Sequence, residues 1–486
     1  MNSIVLSTVG YGLDAPVKEV RIFKSRTEDV SMSPVLTAQE AQDSEKNSLF
    51  AGKTWKWSPH PWELSDPVQE WLDDLGKVAL SFYRAIDLLY RKSWKNDSIL
   101  RNRDLRVPWV ADYYDAGKPD WIISHTRSEK IRSLVPAVFR PDLLPTMDGI
   151  ALTEWDSVPG GIGLTAKLET IYQLNQGTSM VQSFGASLVD AAQAFGGIKA
   201  NMVIVVSEEA ETYLPEMEWL ASELQKDGFS IQACKPEDLE LTGGKLSLGE
   251  KRVDLIYRFW ELFDHGNIPA MSQWMELVEA GELVVTPPMK HIQEEKLSLA
   301  LFHHHRLQDF WSETLIPKEL EVLRSAIPRT WIVDPVPLPP GSYLDGPHLQ
   351  GNPISDWRDL SRATKKERML VLKASGFHET AWGSRSVVIG DDVSVDQWTQ
   401  ALEDAISGYP SPLFVVQEFC KPRKFEHPVF DQDGNVKSEP GRVRLSPYFF
   451  LSGGTSSRRG TLATFCPADK KIIHGMKDGA LMPCDR

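Results

Sequence analysis

The stretch between Arg140 and Gly163 constrains this chain more than any other. It reads R-P-D and then, after a gap, E-W-D-S-V-P-G-G-I-G. Arg140 and Asp142 are two apart, and so are Glu154 and Asp156. On an extended strand residues i and i+2 point to the same face, so each pair projects two charged groups toward one place. In the second strand Ile150, Leu152, Glu154 and Asp156 are expected to share a face. Apolar residues there give way to two acids just before a Pro159-Gly160-Gly161 turn. Three carboxylates beside an arginine suit a hard cation and a polyphosphate. The same residues also describe a polar strand end with ordinary surface charge, and the rest of the chain has to decide between the two.

With 486 residues there is room for about two to four domains and a sizeable core. Hydrophobic residues at 42% and charged residues at 25% give an ordinary soluble balance. The net charge of −14 argues against a nucleic-acid partner, and a polyanion would need a local basic pocket. The apolar run Ile4-Val5-Leu6 is broken by Ser7 and Thr8 with no basic flank, so no signal peptide is expected. No apolar run is long enough to span a bilayer, and no membrane partner is expected. Cys234, Cys420, Cys466 and Cys484 form no C-x-x-C pair, which leaves zinc and thioredoxin-like readings weak. A reducing cytoplasm is the simplest compartment.

Residues 1 to about 60 read as irregular and polar. A helix is expected over 66–93, with Asp66 as N-cap, Pro67 in the first turn, and apolar residues at Val68, Trp71, Leu72, Leu75, Ala79, Phe82, Ile86 and Leu89. Near residue 200 the pattern changes to strands at 202–206, 231–234 and 253–259, with a helix at 211–227. That alternation predicts a parallel α/β unit ending near 290. Further on, a helix is expected at about 292–303, a Pro-rich connection at 335–353, strands at 369–373, 413–419, 443–451 and 461–465, and a helix near 395–407. The divisions expected are 1–195, 196–290 and 291–486.

Several constellations bear chemistry. The strand Met369–Lys373 delivers a lysine into the loop A-S-G-F-H-E-T-A-W-G-S-R-S, where an ammonium and loop amides together could grip phosphate. The loop lacks the G-K-[ST] of a Walker motif, and a strand-end lysine that simply reaches solvent fits the same letters. The strand L-F-V-V-Q-E-F ends in Gln417 and Glu418, which suit a base and a ribose or else begin a loop. Lys296 lies in an amphipathic helical segment, where a solvated face is the plain alternative. His303, His304 and His305 are consecutive, whereas helical ligands favour spacings of three or four, so a structural or surface role is expected of them. No G-x-S-x-G or H-E-x-x-H occurs. The 16 tryptophans are scattered through amphipathic segments and read as core anchors.

Taken in order, these pieces resemble the ATP-grasp ligases of permuted chain order, in type the synthetase part of glutathionylspermidine synthase. In that family an R-x-D and a later E-x-N stand early in the chain and hold magnesium and nucleotide phosphates. Arg140 and Asp142 match the first, and Glu154 and Asp156 match the second with Asp in place of Asn. V-D-L-I-Y-R-F resembles the family's strand leading to an arginine, here Arg258. Lys296 and Lys373 resemble its two ATP lysines, and V-V-Q-E-F its hinge beside adenine. The resemblance covers islands between about 120 and 420. The chain departs from the family in Asp156 and in a phosphate loop poor in glycine, and the cysteine amidase domain of some relatives has no counterpart.

The resemblance implies a circularly permuted ATP-grasp fold, of mixed α+β and α/β class, with an inserted Rossmann-like pre-ATP-grasp unit at about 196–290. It implies an ATP- and Mg-dependent carboxylate–amine ligase working through an acyl phosphate on a peptide-like or small-molecule acid. Asp142, Glu154 and Asp156 would hold metal, and Lys296, Lys373, Ser384, Gln417 and Glu418 the nucleotide. Arg140 would be catalytic. The alternative is a non-catalytic nucleotide-binding or scaffold protein of the same fold. A saccharide-binding protein is a third reading, motivated only by the tryptophans.

Overall fold

The computed structural model describes residues 34–485 except 47–48, 51–53, 175–176, 382, 472 and 474–478. The Ile4-Val5-Leu6 run and much of the stretch expected to be irregular lie outside the described residues. Within that stretch Ala38–Glu45 is helical, closed by a reciprocal capping box between Thr37 and Glu40.

The expected long helix is α1 (Asp66–Trp94), which buries Val68, Leu72, Leu75, Ala79, Phe82, Ile86 and Leu89 along one stripe. A hairpin of β1 (Val138–Pro145) and β2 (Ile150–Asp156) follows. Next come β3 (Asn201–Val206), β4 (Ser230–Cys234), β5 (Leu255–Phe259) and β6 (Val284–Thr286). The short helix α2 (Leu297–His303) leads to β7 (Thr330–Ile332), β8 (Leu370–Ala374), β9 (Val388–Ile389) and β10 (Phe414–Glu418). The chain finishes with β11 (Lys424–Phe430), β12 (Val436–Ser452), β13 (Thr455–Pro467) and β14 (Ala480–Asp485).

Strands β3 to β6 form an all-parallel sheet in the order β6-β5-β3-β4, as the alternation of strands and helices predicts. Met202, Ile204 and Val206 pack on one face into the core shared with α1, while Val203 and Val205 pack on the other against Trp260 and Trp274. A small antiparallel hairpin sheet (Leu239–Thr242, Lys245–Leu248, Lys251–Arg252), turning at Gly243-Gly244, is set into this unit.

β7 to β10 form a second, antiparallel sheet in the order β7-β10-β8-β9, with its own core around Trp331, Leu372, Trp398 and Val416. The largest sheet joins early and late stretches of the chain. Its order is Trp62–Glu63, β14, β13, β12, β1, β2, and β11 pairs β12 from outside that path. α1 crosses it so closely that a Cβ on Gly76 would stand 2.5 Å from the Phe449 ring. The four cysteines are free thiols, and no helix among the described residues is long and apolar enough to cross a membrane.

Candidate active site

The β1–β2 hairpin sets the charged groups. Across it Arg140 stands opposite Asp156, and Asp142 opposite Glu154. One step further the register slips, and Leu143 stands opposite Leu152, so Thr153 is the extra residue of a bulge. Directly opposed residues share a face. Leu152 therefore joins Leu143 in the core, both fully buried, while Glu154 and Asp156 join Arg140 and Asp142 on the other face. The expectation that Ile150, Leu152, Glu154 and Asp156 share one face is thus corrected: strict alternation fails at the bulge. The bulge also turns the Thr153 carbonyl outward, where it accepts from Lys373 Nζ at 2.8 Å.

The guanidinium of Arg140 ties the hairpin together. It lies 2.9 Å from Asp156 Oδ2 and 3.4 Å from Asp142 Oδ1, and it donates to the Gly160 carbonyl at 2.8 Å. That turn needs glycine at Gly161, whose φ is +89° and whose Cβ would strike the Tyr448 hydroxyl. Burial presses the Asp142 carboxyl upward, but Arg444 and Arg140 outweigh it and hold the group below its ordinary range. Arg444 reaches Asp142 Oδ2 at 3.0 Å, and Ser446 donates to Oδ1 at 3.0 Å. Asp156 is different. Burial pushes its carboxyl up to about 6 against the pull of Arg140, with Glu154 and Asp142 adding to the push.

The lysines arrive from the other sheet. Lys373, on β8, is buried and also donates to Gln417 Oε1 at 3.0 Å, while Gln417 Nε2 donates to Thr330 Oγ1 at 3.0 Å. Gln417 is therefore turned inward with both ends of its amide engaged. Burial pulls the Lys373 ammonium down to about 8, with Lys296 adding to the effect and Glu154 opposing it. Lys296 caps α2 instead of lying on a helix face, because residues 291–293 form a separate tight turn and α2 starts only at Leu297. Its Nζ lies 2.8 Å from Glu154 Oε1 and donates to the Ala381 carbonyl at 2.9 Å. Burial opposes its charge, yet Glu154, Glu261 and Glu295 keep the ammonium above its ordinary value. Arg140, Asp142, Glu154, Asp156, Lys296 and Lys373 thus meet in one cleft.

The remaining candidates stand at its margin. Glu418 is exposed at the end of β10, and its backbone N–H donates to the Arg329 carbonyl. Ser384 lies beyond β8 in the loop leading to β9, at φ +61°, where its carbonyl accepts from Val387. Arg258 is spent on the backbone, donating to the carbonyls of Pro287, Trp260 and Pro288, and pairs with Glu294 at 2.5 Å.

Sequence reasoning missed several cleft residues. Arg444, Ser446 and Tyr448 alternate along β12, and all three touch the Arg140–Asp142 face or its turn. The spacing argument used for Arg140 and Asp142 would have found them. Glu261 hydrogen-bonds the Glu294 carboxyl, and burial and that neighbour hold it well above its ordinary range. Lys118 and Glu295 form a buried pair at 2.6 Å, and Ser375 donates to the same Glu295 carboxylate, fastening the root of the 375–387 loop. Single residues in separate loops carry no pattern that could have announced them.

The cation set suits a polyphosphate. Four positive groups converge, and the Nε atoms of Arg140 and Arg444 are buried without a hydrogen-bond partner. The carboxylates supply hard oxygens, but each is closed by an internal cation. Among the described residues, these three do not bring their oxygens together at the spacing of a metal's ligands. As arranged here they do not fit a ready-made magnesium site.

His304, His305 and Asp345 do bring three ligand atoms within 4.8 Å of one another. The two imidazoles, however, stack at 4.7 Å with planes only 20° apart, so their in-plane lone pairs do not converge on one point. His304 Nδ1 already accepts from the Arg306 N–H.

No protein-family profile matches the sequence, and no curated protein matches it. Solved structures do. A glutathione synthetase-like effector (GSS30) from Globodera pallida, in its apo form, superposes with a TM-score of 0.55 at 11% identity, over 92% of this chain and 94% of that one. A protein described as a candidate gamma-glutamylcysteine synthetase from Methylobacillus flagellatus KT gives a TM-score of 0.41 at 13% identity, over 75% and 82%. The first superposition carries the fold: a mixed α/β architecture of several sheets, consistent with an ATP-grasp-like synthetase.

Proposed function

We propose that this cleft binds ATP and that the chain uses it to join a carboxylate to an amine, as an ATP-grasp ligase of permuted order. One observation carries the reading: Lys296, Lys373, Arg140 and Arg444 come from separate stretches of sequence and meet around one group of carboxylates. The acidic hairpin early in the chain and the lysines late in it support the permuted order, with the parallel sheet as candidate for the inserted Rossmann-like unit. A bound ATP supplies the phosphoryl group that makes a carboxylate reactive toward an amine. The chain's own contribution is electrostatic. Lys296 and Lys373 hold phosphate oxygens, while Arg140 and Arg444 steady developing negative charge in a largely buried site. Asp142, Glu154 and Asp156, expected from the sequence to hold magnesium, are each closed by an internal cation, Glu154 being the most exposed of them, and no step is drawn through the ion. The substrates proposed are small or peptide-like acids and amines, with neither nucleic acid nor membrane involved.

A second reading has its own support. Lys296 is already engaged by the Ala381 carbonyl, and the three carboxylates are already paired, as suits a nucleotide-binding protein without turnover. Calorimetric titration with Mg-ATP, followed by ADP release across a panel of amino acids, dipeptides and amines, separates the two. The ligase reading expects binding that Lys373→Met weakens at least tenfold, and ADP release with some acid–amine pair. Binding without ADP release across the panel favours the second reading, and no binding by the wild type removes both.

A further inference from the structure

Between the buried Val333 and the half-buried Leu344 the chain leaves the antiparallel sheet and runs over the surface. Val333 N–H donates to the Phe414 carbonyl, and Leu344 N–H to the Ile354 carbonyl, so both ends of the strap are fixed. The strap reads D-P-V-P-L-P-P-G-S-Y. Each of residues 334–339 is a proline or precedes one. Proline locks φ near −65°, and the residue before it is driven out of the helical region into extended or polyproline-II backbone. Six consecutive residues are thus steered to one conformation by covalent geometry alone. The ridge ends at Gly341, whose φ of +82° follows Pro340 in a turn closed by Ser342 N–H donating to the Pro339 carbonyl.

Among the described residues, none outside the strap is hydrogen-bonded to residues 336–340. Residues 336–340 are all exposed, with Val336 at 58%. The prolines have no N–H to give, and the Val336 N–H is taken by Asp334 Oδ1 at 2.9 Å. Polyproline II has three residues per turn, so Pro337 and Pro340 fall on one edge. A pre-ordered apolar ridge of this kind loses little entropy on docking into an aromatic-lined groove. Charge narrows the partner. Residues 333–347 contain no Lys or Arg, and the charges at the two ends are Asp334 and Asp345. Asp345 is paired with His305 at 2.9 Å, so an acidic groove rim would find no Lys or Arg on the strap and would face the Asp334 carboxylate.

We propose that residues 335–340 are a docking ridge for a protein module that reads polyproline II through an aromatic groove with a neutral or basic rim. The inference is independent of what the cleft binds.

The test titrates the full chain against purified WW and EVH1 domains with neutral or basic rims, and against SH3 domains with acidic rims. The result expected is saturable binding to a WW or EVH1 domain. Pro337→Ala combined with Pro340→Ala should weaken it at least tenfold without moving the thermal unfolding midpoint, since neither ring touches the core. Absence of binding to every domain overturns the proposal. So does binding that the double variant leaves unchanged, or binding to acidic-rimmed SH3 domains alone.

Discussion

Asp87 and Lys290 show what one buried pair does for the chain. Lys290 lies wholly inside, ion-paired to Asp87 on α1 and donating to the carbonyls of Arg132 at 3.0 Å and Leu134 at 2.9 Å. Burial pushes the Asp87 carboxyl up to about 6, and burial likewise pulls the Lys290 ammonium below its ordinary value. Both shifts run toward the neutral forms, so desolvation outweighs the mutual attraction. Such a pair stabilises little, but breaking it strands a dry charge. Asp87→Ala should cost about 3–5 kcal/mol in chemical denaturation, and Asp87→Leu with Lys290→Met should recover most of that loss. A double variant as unstable as the single would refute this. His304, between Trp109 at 4.5 Å and His305 at 4.7 Å, gives a pH signature. Burial pushes its imidazole down to about 4, with Asp345 opposing. The unfolded chain takes up that proton near the ordinary 6.5, the folded chain only near 4. The neutral ring's contribution is therefore complete above about 6.5 and is lost as pH falls through about 4. The stability gap between wild type and His304→Asn should narrow from about pH 7.5 to about pH 4.5. A constant gap across unfolding curves at several pH values would contradict the assignment.

At the scale of elements, the sequence shows what repeats locally and hides what depends on a partner strand. The stripe of α1 and the alternation of β3 to β6 are periodic and could be read directly. The bulge at Thr153 could not, because an extra residue exists only relative to β1, and it reverses which neighbours Glu154 keeps company with. The start of α2 was misjudged by a few residues for a similar reason: Lys296 is held by Ser375, whose carbonyl accepts from its N–H, across the cleft floor. Where α1 crosses β12, Gly76 stands against Phe449, itself stacked on Phe139 at 5.5 Å. Gly76→Ala would gain about 0.5–1 kcal/mol of helix propensity and lose about 1–3 kcal/mol to overpacking. The ring has no room to retreat, so net destabilisation is expected, read as a lower denaturant midpoint at unchanged slope. A variant as stable as wild type would show that helix and sheet are less tightly apposed.

For the whole molecule, the joining of early and late strands in the largest sheet was illegible. Nothing local announces that β12 pairs with β1, or that Trp62–Glu63 pairs with β14. The cleft forms where that sheet, the parallel unit and the antiparallel sheet meet, so a ligand there should stabilise all three. If ATP binds, saturation at about a hundredfold its Kd should add about 2.7 kcal/mol to unfolding. Differential scanning fluorimetry with and without Mg-ATP reads this as an upward shift, and an unmoved transition at saturating nucleotide speaks against the site. The internal pairing of the cleft has one more consequence. Asp142, Glu154 and Asp156 are each matched by a cation, whereas Lys373, the fourth cation, is held by neutral oxygens alone. An anion can therefore take Lys373 without baring an acid, but drawing on Lys296, Arg140 or Arg444 as well strips a partner from one of the three carboxylates. A guest that brings its own cation replaces the partner it removes, so the resting cleft favours an ion pair over a large bare anion.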